Sequence, residues 1–264
     1  MATLTGGALG DATLLHATED ALFGGSVVLF QPARGTGYRT NVDALILAAF
    51  AATHGTGPVR AKRAAPRARP ATQAYDLGAG VGAIGLALLR FGAVRRVVFV
   101  EIDEAPAAMA RRNLDANGWA AQGEVVCGDV RDVARARQGQ AALVVCNPPY
   151  LTPGRGRVAP MQARARVGNL ETFVEAARQI AGRRARVCFV YPAHELTALL
   201  AVLAAEGLHA KRLRFVHASA PAPARLALVE ARAGHSGGLF VLPPLVERNA
   251  HGYTPEMQEL LACG

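Results

Sequence analysis

The tetrapeptide Asn147-Pro148-Pro149-Tyr150 follows an unbroken apolar run from Ala141 to Cys146. A short apolar run of this kind predicts a strand that is buried on both faces. Two consecutive prolines can continue neither a paired strand nor a helix, so the strand must stop at Asn147. Open α/β sheets bind their ligands beyond the carboxyl ends of parallel strands. The tetrapeptide is therefore a candidate site.

The residues of this tetrapeptide suit the methylation of a planar amine. Such an amine is a poor nucleophile because its lone pair is delocalised, so orientation helps it more than a strong base. The Asn147 side-chain oxygen and the Pro148 carbonyl can each accept one of its N–H groups. Tyr150 offers a flat face, and stacking on an aromatic ring contributes roughly 1–3 kcal/mol per base. The alternative interpretation is a proline-rich turn.

A glycine-rich loop lies upstream, between a predicted strand at Ala74-Tyr75 and a predicted helix that ends near Phe91. It reads Asp76-Leu77-Gly78-Ala79-Gly80-Val81-Gly82, and its glycines allow a sharp turn and a close approach to a ligand. The spacing of Gly80, Gly82 and Gly85 also satisfies a dinucleotide fingerprint. Together with Asp76, the loop resembles the first motif of S-adenosylmethionine-dependent methyltransferases, and that resemblance implies that the carboxylate accepts hydrogen bonds near the amino-acid end of the cofactor.

Two more predicted strands, 96–100 and 124–127, lead to Glu101 and Asp129. Glu101 follows the loop by about 20 residues, where a carboxylate can accept from ribose hydroxyls. Asp129 is placed to accept from an adenine amine, or it is an ordinary turn residue. Asp76, Glu101, Asp129 and Asn147 thus end four successive strands. This regularity predicts an α/β fold with a doubly wound, mostly parallel, seven-stranded sheet.

The rest of the chain predicts a short extension before this sheet. A strand at 26–31 and an extended piece at 38–40 would form a hairpin, and Asn41 would cap a helix from Val42 to Ala52. Residues 54–72 are basic and proline-containing without an acid, which indicates a flexible insertion. We therefore predict an extension (1–53), the insertion (54–72) and one main domain (73–264) that forms a single unit with the extension.

Composition excludes several classes of protein. No apolar run approaches the ~18–20 residues of a membrane span, and the N-terminus lacks a basic segment followed by an apolar one. We expect a cytoplasmic protein without a membrane partner. The four cysteines are scattered without metal-ligand spacing, so no metal is expected. A net charge of +9 favours a polyanionic partner, although an arginine-rich composition could equally reflect genome bias.

The loop after Tyr150 carries four arginines and no acid between residues 151 and 168: Arg155, Arg157, Arg164 and Arg166. Because these cations lie beside the proposed acceptor site, we expect them to contact nucleic-acid phosphates. Predicted strands at 187–191, 211–216 and 225–231 complete the sheet, and the last two form an antiparallel pair at its edge.

These motifs together resemble those of the bacterial valine-tRNA adenine-N6 methyltransferases, over about residues 24 to 262. The resemblance is carried by Gly24-Gly25, Gln31-Pro32, Val42-Asp43-Ala44, Asp76 to Gly82, Glu101, Asn147 to Tyr150, Ala165-Arg166, Arg225, Leu228-Val229-Glu230 and Tyr253-Thr254. The chain departs from that pattern in its insertion and at Thr40-Asn41.

The resemblance implies a role for each matching residue. S-adenosylmethionine would be held by Asp76, Gly78, Gly80, Gly82, Glu101, Ile102, Asp129 and Val130. Asn147, Pro148 and Tyr150 would hold an extruded adenine of a tRNA, and the four loop arginines and Arg225 would bind the RNA. No obligate protein partner is expected. The open alternatives are a ribosomal RNA guanine-N2 methyltransferase, a protein glutamine-N5 methyltransferase, and an RNA-binding protein that keeps the fold without the activity.

Overall fold

The sheet at the centre of the fold has strands that are apolar on both faces. The computed structural model describes residues 17–37, 39–53, 71–148, 170–234 and 237–262. Seven strands form the main part of the sheet: β3 (Ala74–Leu77), β4 (Val97–Glu101), β5 (Gly123–Cys127), β6 (Ala141–Cys146), β7 (Ala181–Pro192), β8 (Leu208–Ser219) and β9 (Ala224–Ala233). β3 and β4 are buried along their whole length, so helices must cover both faces of the sheet.

The seven strands lie in the order β5-β4-β3-β6-β7-β9-β8. β9 is antiparallel to both its neighbours, and the other pairs in this order are parallel. The chain winds outward from β3 to β5 and then returns to place β6 on the other side of β3. The crevice between β3 and β6 is therefore the switch point at which such sheets bind ligands. This arrangement confirms the doubly wound, mostly parallel fold.

The strand count differs from the expected seven, because three short strands extend the β8 edge: β10 (Phe240–Val241), β11 (Leu245–Asn249) and β12 (Gly252–Tyr253). β10 and β11 both pair with β8, and β12 pairs with β11, so the described part of the sheet has ten strands. β10 lies within a short strand expected near residues 239–242. β11 has charged and polar members and β12 has two residues, so neither has enough apolar periodicity to be identified from sequence.

Helices cover both faces of the sheet. They are α1 (Val42–Ala52), α2 (Ala83–Arg90), α3 (Glu104–Ala116), α4 (Val130–Ala136), α5 (Leu170–Ile180), α6 (Leu196–Ala205) and α7 (Pro255–Ala262). Buried side chains of α1, α2, α3 and α7 belong to one hydrophobic cluster, and those of α4, α5 and α6 belong to the other. Within the described ranges, no helix combines the length and apolarity that a membrane span requires.

The N-terminal hairpin differs from the prediction in its first strand. β1 (Ala17–Leu22) pairs with β2 (Val27–Pro32) across a turn that needs positive φ at Gly24 and Gly25. The expected partner at 38–40 is wrong, since Arg39 and Thr40 are not in a strand and Tyr38 lies outside the described residues. Arg39 instead donates to Asp20 and to the Pro32 carbonyl. The sequence did not predict β1, because the polar residues in the middle of this strand interrupt the alternation of apolar residues that would indicate a strand.

Polar contacts fix both ends of α1, a helix whose residues 43–51 are all buried. At its start, the Asn41 side chain accepts from the Asp43 amide, which confirms the predicted N-cap. At its end, the Thr53 carbonyl accepts from the guanidinium groups of Arg186 and Arg212 at 3.1 and 3.0 Å. Both arginines also pair with the buried Glu230, so α1 is anchored to β7, β8 and β9.

The predicted basic insertion lies almost entirely outside the described residues, at 54–70. The last two residues of the predicted insertion, Ala71 and Thr72, are among the described residues. Ala71 forms a parallel bridge with Val94. The chain has therefore rejoined the sheet region by Ala71, two residues earlier than the sequence suggested. The division into extension, insertion and main domain stays a prediction, while the hairpin and α1 pack into the same hydrophobic cluster as α2.

Candidate active site

All four predicted strand-end residues lie at the carboxyl edge of the sheet, and three of them are on or directly after β3 and its two neighbouring strands. Asp76 of β3 is level with Phe99 of β4 and with Val145 of β6. Glu101 and Asn147 each follow these partners by two residues along the chain. A strand rises ~3.3 Å per residue, and neighbouring strands are ~4.8 Å apart. The Cα atom of Asp76 therefore lies roughly 8 Å through space from the Cα atoms of Glu101 and Asn147. The switch-point crevice is therefore lined by polar side chains.

Asp76 is a buried carboxyl group that uses one of its two oxygens in a hydrogen bond with the described residues. It is completely inaccessible, and its Oδ2 accepts from the Gly85 amide at 3.0 Å. Its Oδ1 has no hydrogen-bond partner among the described residues. Burial raises the pKa of Asp76 to about 7; the Gly85 hydrogen bond opposes this shift and the charge of Glu101 adds to it. A buried acceptor left unpaired costs about 1–3 kcal/mol, which a ligand donor at this point would offset.

The glycine loop adopts the left-handed backbone that its sequence predicts. Gly78, Gly80 and Gly82 have φ values of 69°, 56° and 89°, which side chains with a Cβ rarely adopt. A Cβ added at Gly80 would meet nothing within 4 Å, so this side of the loop is open to a ligand. Loop and carboxylate are also linked, because the Gly80 amide donates to Glu101 Oε2 at 2.7 Å.

Glu101 is nearly buried and organises the start of α3 as well as the loop. Its Oε1 accepts from the Asp103 amide at 3.0 Å. Burial raises the pKa of Glu101, and the amide hydrogen bonds from Asp103 and Gly80 offset part of that rise. An ionised carboxylate has about four lone-pair sites, so Glu101 can still accept from a ligand. Ile102 beside it is 57% exposed, which is unusual for a large apolar side chain.

Gly85 was identified only as part of a fingerprint, and the structure gives it a packing role. A Cβ there would lie 2.2 Å from Cε1 of Phe99, a fully buried ring, and 2.8 Å from Cγ1 of Val97. This glycine therefore allows α2 to pack directly against β4.

We expect Gly85→Ala to lower the free energy of unfolding by about 1–3 kcal/mol, the usual cost of overpacking a core. The substitution would displace the Phe99 ring and the amide that Asp76 accepts from. Chemical denaturation measures the change. Gly128→Ala is the control, because an added Cβ there meets nothing within 4 Å. Equal stabilities of the two variants would contradict this packing role.

Asp129 has a structural partner that the sequence did not reveal. It is the N-cap of α4, accepting from the Arg131 amide at 2.8 Å, and it pairs with the Arg131 guanidinium. That guanidinium, together with the amide, keeps the pKa of Asp129 below its usual value. Val130 begins α4 and is buried. The predicted contacts of Asp129 and Val130 with a cofactor stay predictions.

Asn147 and Pro148 are the described part of the tetrapeptide. The Asn147 Oδ1 atom is buried and has no hydrogen-bond partner within the described ranges, and Pro148 is buried. β6 ends at Cys146, which confirms that the prolines terminate the strand. The remaining predicted acceptor-site and RNA-binding residues of this region lie outside the described residues: Pro149, Tyr150, Arg155, Arg157, Arg164 and Arg166.

Arg225 lies in an ion-pair cluster that the sequence did not predict. Its guanidinium donates to Asp43 at 2.7 Å and to both carboxylate oxygens of Glu247. Asp43 and Glu247 are buried, and the single positive charge of Arg225 is shared between their carboxylates while it links α1, β9 and β11. Its predicted role in substrate binding stays a prediction, and its observed contacts are structural. Glu247 could not be found from sequence, because β11 itself was not recognised.

Acids, cysteines and histidines do not converge on a common centre in the described parts of the chain: no group of three could hold a metal ion. Cys127 is exposed at the end of β5, with its Sγ 3.6 Å from the Ile102 carbonyl. Cys146 and Cys188 are buried, and burial raises the pKa of both thiols.

Sequence comparison relates this chain to methyltransferases. Residues 64–167 match the methyltransferase small domain. The chain is 31% identical over 171 residues to a tRNA1(Val) (adenine(37)-N6)-methyltransferase of Dickeya chrysanthemi, covering 63% of this chain and 67% of that protein. It is 31% identical over 125 residues to the protein of the same name from Pectobacterium carotovorum, covering 46% of this chain and 50% of that protein. The chain thus spans about half the length of the latter relative.

Structural comparison agrees on the fold. A crystal structure of a predicted O-methyltransferase from Agrobacterium tumefaciens superposes with a TM-score of 0.63. The two chains are 23% identical, and the match covers 84% of this chain and 96% of the other. At this identity the likeness establishes a shared Rossmann-like fold and leaves the acceptor to be inferred from the site.

Proposed function

The chain belongs to the tRNA1(Val) (adenine(37)-N6)-methyltransferase family, and we propose that it methylates the N6 amine of an adenine in tRNA. The observation that carries this proposal is the buried Oδ1 of Asn147 at the switch point of the sheet, which has no hydrogen-bond partner among the described residues. An acceptor oxygen held away from water is suited to bind an amine N–H group. Membership of the family and the site chemistry point to the same reaction.

S-adenosylmethionine is the cofactor of this methyltransferase, and when bound it supplies an electrophilic methyl group. The residues fit it: Asp76 offers a buried oxygen without a hydrogen-bond partner in the described part of the chain, and a Cβ added at Gly80 would meet nothing within 4 Å. Asp76 would hold the amino-acid end, and Glu101 would accept from the ribose hydroxyls. Ile102 would cover the adenine ring with its exposed apolar side chain. Gly78 and Gly82 would keep the loop in its turn.

The acceptor amine would be held by Asn147 and Pro148. Each supplies one carbonyl oxygen for one N–H group, which directs the nitrogen lone pair away from both oxygens. As positive charge develops on the nitrogen, both hydrogen bonds become charge-assisted and therefore stronger. Stabilisation that grows in the transition state accelerates the reaction without a strong base. Tyr150 would stack on an adenine that has left its helical stack.

The RNA would be bound by the arginine-rich segment that follows the tetrapeptide in the sequence. The net charge of +9 supports a polyanionic substrate, and the relatives' names specify a tRNA. Arg155, Arg157, Arg164 and Arg166 would contact phosphates on either side of the adenine. Arg225 would contribute indirectly, because its guanidinium is already bound to Asp43 and Glu247.

The experiment incubates the purified protein with S-adenosylmethionine and an unmodified valine tRNA transcript, followed by nuclease digestion and mass spectrometry of the nucleosides. We expect N6-methyladenosine with the adenine-37 transcript and none with a transcript in which that adenine is replaced by uridine. Methylated guanosine in ribosomal RNA, or methylated glutamine in a protein, would replace the proposal with the corresponding alternative. If the protein binds S-adenosylmethionine but methylates none of these acceptors, the proposed reaction is wrong and only the assignment of the fold is retained.

A further inference from the structure

One edge of β2 is completed by two side chains instead of a strand. Val28 and Phe30 direct their backbone N–H and C=O groups away from β1. Asn117 accepts from the Val28 amide at 2.9 Å and donates to its carbonyl at 2.8 Å. Asn113 does the same for Phe30, at 2.6 and 3.0 Å. Each carboxamide therefore makes both hydrogen bonds that a neighbouring strand residue would make.

The spacing of these two asparagines explains why a helix can replace a strand here. Four residues of helix rise about 6 Å, and two residues of strand rise about 6.6–6.8 Å. The spacing between Asn113 on α3 and Asn117, the C-cap residue of that helix, therefore matches the spacing between alternate residues of β2. The Arg112 guanidinium adds a third contact, 3.6 Å from the centre of the Phe30 ring.

Asn113 makes one further hydrogen bond that Asn117 does not make. Its Nδ2 donates to the Val81 carbonyl at 2.9 Å, between Gly80 and Gly82. Asn113 is fully buried, so these bonds are shielded from competing water. The second donor bond of Asn117 goes instead to the Asn113 carbonyl, within the same helix. Of the two carboxamides, Asn113 is thus the one that joins the hairpin to the glycine loop.

The hairpin also contacts the helix that follows the glycine loop. The ring of Phe23, in the hairpin turn, packs edge-on against Phe91 with centroids 5.2 Å apart. The Arg90 guanidinium donates to the Ser26 hydroxyl at 3.0 Å. The hairpin therefore spans the end of α2 and the face of α3, the helices that begin after the glycine loop and after Glu101.

We propose that the N-terminal hairpin holds the glycine loop in its cofactor-binding conformation through Asn113, which is a positioning residue for S-adenosylmethionine. A loop with three glycines at positive φ has many alternative conformations when it is free. Restricting it before the ligand arrives removes an entropic cost from binding. The effect is on cofactor affinity, and it does not depend on which acceptor is methylated.

Asn113→Asp and Asn117→Asp form a matched pair for the test. Each keeps an oxygen for the strand amide and loses the NH2 group that donates to carbonyls. We expect Asn113→Asp to weaken binding of S-adenosylmethionine about tenfold in calorimetry, and Asn117→Asp to change it less than about twofold. In methylation assays, Asn113→Asp should raise KM for the cofactor while kcat at saturation is retained. A purely structural defect would instead lower kcat through a smaller folded fraction, and equal affinities in the two variants would overturn the proposal.

Hydrogen exchange on the unaltered protein keeps the test independent of variant folding. Coupling between sites is reciprocal, so the cofactor must stabilise the docked hairpin by the same free energy that the docked hairpin adds to cofactor binding. We expect saturating S-adenosylmethionine to slow exchange in a peptide covering 27–32 more than in a peptide covering 245–249. Protection of the loop at 78–82 without any protection at 27–32 would overturn the proposal.

Discussion

Replacing Asn147 by alanine is expected to lower kcat for methyl transfer by about 10²–10³-fold or more while cofactor affinity changes less than roughly threefold. The variant removes the buried oxygen that has no hydrogen-bond partner among the described residues. One N–H group of the acceptor would then lose its partner, and charge developing on nitrogen would lose part of its stabilisation. The loss should therefore fall on the chemical step. Steady-state methylation of tRNA measures kcat, single-turnover methylation measures the rate of the chemical step, and calorimetry measures cofactor binding.

Asn147→Asp is the matched control for this experiment, because it keeps an acceptor oxygen of the same reach. We expect it to retain more activity than Asn147→Ala. If the alanine variant methylates at nearly the normal rate, Asn147 does not hold the acceptor and the site assignment is wrong. If both variants lose cofactor binding, the role of Asn147 lies in forming the cofactor pocket instead.

The substitution Asp76→Asn is expected to have opposite effects on stability and on cofactor binding. The variant keeps one oxygen for the Gly85 amide and places an NH2 donor where Oδ1 stood, the acceptor that has no partner among the described residues. Losing a charge-assisted hydrogen bond costs about 1.5–3 kcal/mol, so affinity for S-adenosylmethionine should fall about 10–100-fold. The protein without cofactor should become more stable near pH 7–8, because it no longer buries an ionisable carboxyl group.

The pKa of Asp76 determines the sign of this stability effect. In the folded chain that pKa is raised from 3.8 to about 7. Between about pH 4 and 7 the unfolded chain therefore has Asp76 ionised while the folded chain keeps it protonated. The unfolded state binds fewer protons over this window, so the free energy of unfolding contributed by Asp76 falls as the pH rises through it.

Denaturation of the cofactor-free protein at several pH values between 4 and 8 measures this contribution. The unaltered chain should lose stability across that window, on the order of a few kcal/mol, and Asp76→Asn should lose less. Asp129→Asn is the control, because a neighbouring arginine lowers rather than raises the pKa of Asp129. A variant of Asp76 that is less stable than the parent at pH 8 would contradict the prediction.

Local signals determined a large part of this fold. The strand from Ala141 to Cys146 and the helix from Val42 to Ala52 have their predicted bounds, because unbroken apolar runs end at prolines or begin at an N-cap. The left-handed turn at Gly78, Gly80 and Gly82 follows from residue type alone. The same signals identified Asp76, Glu101 and Asn147, since strand ends in parallel sheets are ligand positions.

Elements with weak periodicity could not be predicted from sequence. β1 is a six-residue strand that includes Thr18, Glu19 and Asp20, and β11 ends in the charged and polar residues Glu247 to Asn249. α4 has seven residues, too few for a clear helical pattern. β1 pairs with β2 in a hairpin, β11 pairs with β8, and the buried residues of α4 pack in the same cluster as those of α5.

By itself, the sequence determined the main strands of the sheet, the helices with clear apolar periodicity, the glycine loop and the three polar residues at the strand ends. Only the tertiary structure decided what those residues contact. Arg225 is matched with Asp43 and Glu247 across 182 and 22 residues, and Asn113 joins β2 to the glycine loop across 83 and 32 residues. Residue type and spacing specify local backbone conformation, whereas a buried polar group takes whichever partner the folded chain brings within about 3 Å.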